Sequence, residues 1–308
     1  MTHNDKAKVL VTGATGMQGG AAVQALLRVG HPVTAFVRNT SSAPAQALAR
    51  QGAALATGTM DDLASLEAAG AGHDAVFSMQ PVGYDPADPG AEQRQARNIA
   101  TAAQRAGITQ IIHTSVSATG WRSQHPDIEE TNPVMRAYWD DKEAAEDAIR
   151  QSGLKHWTIF KPAFYMDNFL PPKQEHMFPD LPQGKLITAT SPQTKLALIC
   201  SDDFGAAVAA AVAEPATFHE AEIELAGDAL THPEMADILS QAAGREITAV
   251  FLSREELEQR FGAPMADSQI WNDRVGYPAR PHHAAHYGLT TTTFEQWAAK
   301  QDWTLPAA

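Results

Sequence analysis

Val9-Leu10-Val11-Thr12-Gly13-Ala14-Thr15-Gly16-Met17-Gln18-Gly19-Gly20 decides how the rest of this chain is read. A β-branched run enters a turn with glycines at 13, 16 and 19, and an Ala/Val/Leu-rich helical pattern, Ala21 to Leu27, follows directly. In that order of strand, turn and helix, Gly-x-x-Gly-x-x-Gly reads as a phosphate cradle. Gly13 suits a tight turn off the strand, Gly16 leaves the backbone open to a pyrophosphate, and Gly19 lets the helix pack close against the sheet. The free N–H groups and positive dipole end of that helix would hold the phosphates. An ordinary βα turn also accepts permissive glycines. The patterns on either side favour the cradle.

Outward from this turn, strand-like and helix-like segments alternate. Strands are expected at Val33 to Val37, Ala53 to Thr57, Ala75 to Met79, Gln110 to Ser115 and Trp157 to Phe160. Helical patterns fall between them, near Ala45 to Gln51, Leu63 to Ala69, Ala91 to Ala106 and Met135 to Ser152. Apolar strands alternating with helices imply a parallel sheet covered on both faces, and right-handed crossovers leave one principal topology. The fold class is therefore α/β, a doubly wound parallel sheet of Rossmann-like type. After Pro162 the texture changes. Residues 163–195 are rich in proline, aromatic and polar residues and read as irregular structure. A helix over Asp202 to Ala213, a strand over Glu222 to Ala226, capping patterns at Thr231/Glu234 and Ser253/Glu256, and a strand over Ile247 to Leu252 follow. These predict a smaller, interleaved α+β C-terminal domain, with a division at 1–162 and 163–308 and a strand near 222–226 returning to the main sheet.

Composition bounds the function. A chain of 308 residues, 44% hydrophobic and 19% charged, can bury a sizeable core, and it lacks the ~18 uninterrupted apolar residues of a spanning helix. The polar start, Met1 to Lys6, reads as no secretory leader, and a single cysteine excludes an internal disulfide. Together these point to the cytoplasm. Cys200 lies in the apolar run from Leu196 and reads as a core residue. The net charge of −13 argues against nucleic-acid binding and still permits a local site for an anionic cofactor. His282-His283-x-x-His286 has no nearby carboxylate or cysteine, and Pro281 disfavours a long helix there, so no metal is expected. Asp140-Asp141 reads as a solvated helix face.

Residues 9–19, Arg38, Lys142 and the segment at Pro162 together resemble the NmrA-like, atypical branch of the short-chain dehydrogenase/reductase superfamily. The similarity extends over nearly the whole chain, through Ser152-Gly153-Leu154, the Leu230 to Gly244 helix and His286-Tyr287-Gly288-Leu289-Thr290. The resemblance implies that Thr15, Met17 and Gln18 occupy the phosphate turn. It also implies that Met60 and Asp61 lie against adenine, that Ser78, Met79 and Gln80 lie near the nicotinamide ribose, and that Lys142 binds that ribose. The second strand ends Phe36-Val37-Arg38-Asn39, without the acid that an NAD-selective site places on the ribose hydroxyls. Arg38 can grip a 2′-phosphate through its fork of donors, so NADP(H) is the expected cofactor.

Tyr138-Trp139-Asp140-Asp141-Lys142 supplies a Tyr-x-x-x-Lys pair, which on a helix lies on one face. A lysine cation favours the phenolate, so Tyr138 could give a proton to a substrate oxygen that receives hydride. Ser115 or Ser117 would complete a set like that of carbonyl-reducing members of the superfamily. Many NmrA-like proteins keep the lysine and lack this tyrosine, and Tyr138 could instead pack with Trp139. Phe160 to Phe169 leaves the sixth strand at its carboxyl end, where doubly wound folds bind ligands. The resemblance places its Pro162, Ala163 and Phe164 behind the nicotinamide. Tyr165 and Asn168, with Trp121 and Tyr138, would line an apolar cleft for a flat conjugated or carbonyl substrate, unless these aromatics are core between two domains. The reading is an NADPH-dependent oxidoreductase that reduces a small quinone, carbonyl or conjugated apolar acceptor. The alternative is a non-catalytic NADP(H)-sensing regulator acting through a protein partner, and an extended short-chain dehydrogenase acting on nucleotide sugars ranks third for want of an aromatic and basic set in the C-terminal half. A small molecule is the expected partner, with no membrane; a homo-oligomer stays open.

Overall fold

The computed structural model describes residues 6–81 and 88–303; the polar start at 1–5 lies outside them. Six strands carry the first half: β1 (Val9–Val11), β2 (Val33–Val37), β3 (Ala54–Thr57), β4 (Ala75–Ser78), β5 (Gln110–Thr114) and β6 (His156–Pro162). Between them run α1 (Met17–Arg28), α2 (Ala43–Arg50), α3 (Leu63–Gly70), α4 (Ala91–Arg105), the single turn α5 (Trp121–Gln124) and α6 (Pro133–Arg150). The second half adds β7 (Phe164–Tyr165), α7 (Gln174–Met177), β8 (Lys185–Thr188), β9 (Leu196–Ile199), α8 (Ser201–Ala213), β10 (Ala221–Leu225), β11 (Asp228–Leu230), α9 (His232–Ala243) and β12 (Thr248–Phe251). It closes with α10 (Arg254–Phe261), α11 (Ala263–Arg274), α12 (Pro281–His286) and α13 (Phe294–Ala298).

The main sheet has seven strands in the order β10-β6-β5-β4-β1-β2-β3, and every pair is parallel. The order reverses between β1 and β4, so the crevice at the carboxyl ends of those two strands is where such a sheet binds a ligand. Alternate side chains feed opposite layers. Val9, Val11, Ala75, Phe77 and Ile112 pack with α1 and α8, whereas Leu10, Val76, Ile111 and Ile159 pack with α3, α4 and α6. The helix α8 lies so close to α1 that a Cβ on Gly205 would stand 2.5 Å from the Ala21 carbonyl oxygen.

The sheet half thus draws α8 and β10 from beyond residue 200, and Tyr287, just after α12, stacks on Phe218 with ring centroids 5.6 Å apart. The remaining elements share a second core, in which Phe169, Leu198, Met235 and Phe294 are buried. Cys200 is buried there too, and burial pushes its thiol up to about 12, which leaves it an inert core residue. Residues 163–195 are more ordered than their composition suggested. Here β7 pairs with β9 and β8 pairs in parallel with β12. A two-residue strand or one whose partner lies about sixty residues on leaves no local periodicity to read. The helix α6 starts at Pro133, two residues earlier than its apolar pattern, because Asn132 caps it by accepting the N–H groups of Val134 and Met135.

Candidate active site

The glycine turn is built for close backbone packing. Gly13 has φ +60° and follows Thr12, whose Oγ1 accepts the Met79 N–H at 2.9 Å and ties the turn to the end of β4. A Cβ on Gly19 would stand 2.2 Å from the Gly13 carbonyl oxygen, so only glycine lets α1 start this near the turn. Thr15 and Gly16 are exposed, and no side chain caps α1. No hydrogen bond among the described residues takes up the N–H groups of Met17, Gln18 and Gly19, which leaves an anion cradle of the kind expected. The Gln18 side chain is committed elsewhere, accepting from Thr114 Oγ1 at 2.8 Å. Arg38 stands exposed just past β2, and no hydrogen bond or ion pair among the described residues engages it. These features fit the phosphates of an adenine dinucleotide, including one at the 2′ position.

Two side chains assigned to the ribose and both assigned to adenine face other partners. The Asp61 carboxylate accepts from Arg94 Nε at 2.9 Å and Gln95 Nε2 at 3.0 Å, both on α4. Met60 packs in the sheet core and its carbonyl accepts from Asn98. Ser78 and Gln80 turn inward, with Gln80 Nε2 donating to Ser78 Oγ at 2.8 Å and His113 Nδ1 at 3.2 Å from the same oxygen. Burial first, and then the charge of Lys142, push His113 down to about 3, so the imidazole is neutral. Of this stretch only Met79 is half-exposed.

Beside this cluster lies a buried ion pair. Lys142 on α6 is 6% exposed and donates to Glu92 Oε1 at 2.7 Å, and Glu92, in the first turn of α4, is 1% exposed. Burial raises the Glu92 carboxyl above its ordinary value in spite of Lys142. The Lys142 ammonium also lies 5.7 Å from the centroid of the Tyr138 ring, one helical turn away, so the Tyr-x-x-x-Lys pair does share a face. The next turn of α6 is anchored as well: Glu146 pairs with Lys161 of β6 at 3.1 Å and with Arg150 at 2.6 Å. Ser115 and Ser117 are both buried. Ser115 Oγ lies 3.2 Å from Thr119 Oγ1, and Ser117 N–H donates to the Pro162 carbonyl, beside Glu224 of β10.

Tyr138 and Trp139 face a cavity of about 680 Å³. Phe164, Phe178, Trp271 and Tyr277 form more of its wall, and among the described residues no Asp, Glu, Lys or Arg lines it. Its size and apolar lining suit one drug-sized ligand. Phe164 joins the two parts of the site, because it follows Pro162 and Ala163, which are buried at the carboxyl end of β6. Trp121 stands behind the wall: it is buried, with its ring 6.3 Å from Trp139 and 6.2 Å from Trp271. Tyr165 points the other way and packs edge-on to Phe204 of α8, and the half-buried Asn168 is not among the lining residues. Glu92, His113, Trp271 and His232 belong to no recognisable motif in the sequence. A buried histidine within Ile111-Ile112-His113-Thr114 was the one local signal among them.

The NmrA-like family model matches residues 5–295. The chain belongs to the NmrA-like family. A relative, Quinone oxidoreductase 2 of Escherichia coli, is 30% identical over 284 residues, which cover 87% of this chain and 89% of that protein. NAD(P)H azoreductase of Xenophilus azovorans is 28% identical, covering 84% and 82%. Among solved structures, an NADPH-dependent quinone oxidoreductase from Escherichia coli complexed with NADPH superposes with a TM-score of 0.69 at 26% identity, covering 94% of this chain and 98% of that one.

Proposed function

We propose that this family member is an NADPH-dependent oxidoreductase that passes hydride to a small quinone, carbonyl or conjugated apolar acceptor. The observation that carries the reading is the uncharged aromatic cavity meeting the α6 face that bears Tyr138 and Lys142. Relatives named as a quinone oxidoreductase and an azoreductase support the class of acceptor. The turn at Gly13, Thr15, Gly16, Met17, Gln18 and Gly19 would hold the pyrophosphate through its backbone, and Arg38 the 2′-phosphate. The backbone at Met60 and Asp61, whose side chains face the core and α4, would flank adenine. Met79 and the backbone beside it, Lys142, and Pro162 to Phe164 would bound the nicotinamide end. NADPH, when bound, supplies the hydride. The cavity wall orients a flat acceptor and excludes water. Tyr138 donates the proton to the reduced oxygen or nitrogen, and the Lys142 cation beneath its ring steadies the phenolate that remains. Glu92 holds that cation in place.

NADPH oxidation by quinones, azo compounds and aldehydes, with NADPH binding measured on the same sample, tests the proposal. Turnover of one acceptor class supports it, and Tyr138→Phe then lowers kcat about 100-fold with NADPH affinity unchanged. Tight binding without turnover of any acceptor would favour the sensing regulator.

A further inference from the structure

His232, in the first turn of α9, lines the same cavity and is 5% exposed. A chain of hydrogen bonds decides which of its nitrogens carries the proton. The Ala189 N–H donates to Gln269 Oε1 at 2.6 Å, so a backbone group sets the orientation of that amide. Thr188 Oγ1 lies 3.0 Å from the same oxygen and gives it its only proton. Thr188 Oγ1 then accepts the Thr190 N–H at 3.1 Å and, with no proton left, accepts the Thr190 hydroxyl at 3.0 Å as well. Thr190 Oγ1 therefore turns a lone pair to His232 Nδ1, 3.1 Å away, and Nδ1 is the nitrogen that bears hydrogen. Burial pushes the imidazole down to about 4, so it stays neutral at physiological pH. Nε2 is left as a bare acceptor, and no hydrogen bond among the described residues engages it.

We propose that His232 Nε2 is a specificity-determining acceptor, through which the cavity selects uncharged, flat aromatic ligands bearing a hydroxyl or N–H donor. The inference rests on the reading of this cavity as the acceptor site, and it names the kind of acceptor. A ligand with only carbonyl or ether oxygens leaves Nε2 unpaired on burial, whereas one with a donor satisfies it. Among the described residues the lining has no charged side chain to pair with an ionic group, which disfavours sulfonated or cationic ring systems.

Trp139 and Trp271 line the cavity, so quenching of tryptophan fluorescence reports binding without turnover. Azobenzene, 4-methoxyazobenzene and 4-hydroxyazobenzene present the same rings with no polar substituent, an acceptor alone, and a donor. The hydroxy compound is expected to bind roughly ten-fold more tightly than the other two. His232→Phe should erase that preference, and His232→Gln, which puts an amide near the position of Nε2, should restore part of it. Thr190→Val removes the acceptor that holds hydrogen on Nδ1, so the proton can move to Nε2 and the preference should pass to the methoxy compound. Equal affinities in the native protein, no binding of any of the three, or a hydroxyl preference that survives His232→Phe would each overturn the proposal. The two readings fail separately. Hydroxyl-selective binding with no NADPH oxidation would count against the reductase alone, and turnover without hydroxyl selectivity would count against His232 alone.

Discussion

The two halves of the site are made of different material. The phosphate end is backbone: a left-handed glycine, a helix start with no side-chain cap, and strands in parallel register. The acceptor end is side chains, contributed by α6, the segment after β6, α9 and α11. A backbone site tolerates almost no substitution where the chain turns and almost any where side chains point away. A side-chain cavity behaves in reverse, with each wall residue replaceable at a graded cost and the selectivity set by a few polar atoms. One end can thus stay fixed on its cofactor while the other adapts to an acceptor.

The largest expected effect on cofactor binding comes from the backbone half. Gly19→Val forces a side chain into the Gly13 carbonyl, 2.2 Å from where its Cβ must stand. NADPH affinity should fall on the order of 100-fold, about 3 kcal/mol by direct titration. Unchanged affinity would mean that the turn is not the phosphate cradle. At the junction of the halves, Lys142→Met leaves Glu92 buried and unpaired, and urea unfolding should show a loss of about 3–5 kcal/mol. Adding Glu92→Gln should recover a large part of it, and no recovery would show that the pair is not coupled. Arg38→Ala should weaken NADPH roughly ten- to a hundred-fold and leave NADH nearly untouched. Equal losses for both would refute a role at the 2′-phosphate.

The smallest effect, taken over one pH unit, is one of pH. His113 titrates at about 3 in the fold against 6.5 for a free imidazole, so between those values the unfolded chain binds the extra proton. Stability should therefore fall as pH drops below 6.5, at up to about 1.4 kcal/mol per pH unit from this group. His113→Gln should flatten that slope, and an unaltered slope would show that the buried imidazole is not its source.

The same contrast explains what could be read in advance. Parallel strands alternating with helices, and glycines forced by a tight turn, are local and periodic, so the sheet and its glycine turn were legible from residues 9 to 162. The cavity wall was not. Of the six α11 residues that line the cavity, Pro264, Met265, Ser268, Gln269, Trp271 and Asn272, three are polar, so no continuous hydrophobic stripe marks the helix. Phe164 and Tyr165 are neighbours on a two-residue strand whose side chains alternate. Which of them meets the ligand and which meets Phe204 depends on pairing with β9, some thirty residues on. Glu92 lies 50 residues from Lys142, and an acid in the first turn of a helix needs no partner to be explained.

The most direct test of a two-part site is single-turnover oxidation of protein-bound NADPH by an excess of a quinone, in the native protein and in Ser268→Trp. Ser268 lines the cavity from α11, on a helix separate from the glycine turn, and the indole would occupy the acceptor's space. If the cavity is the acceptor site, NADPH should bind both proteins equally and be oxidised rapidly only in the native one. Equal oxidation rates in the two would contradict it and place the acceptor elsewhere on the sheet.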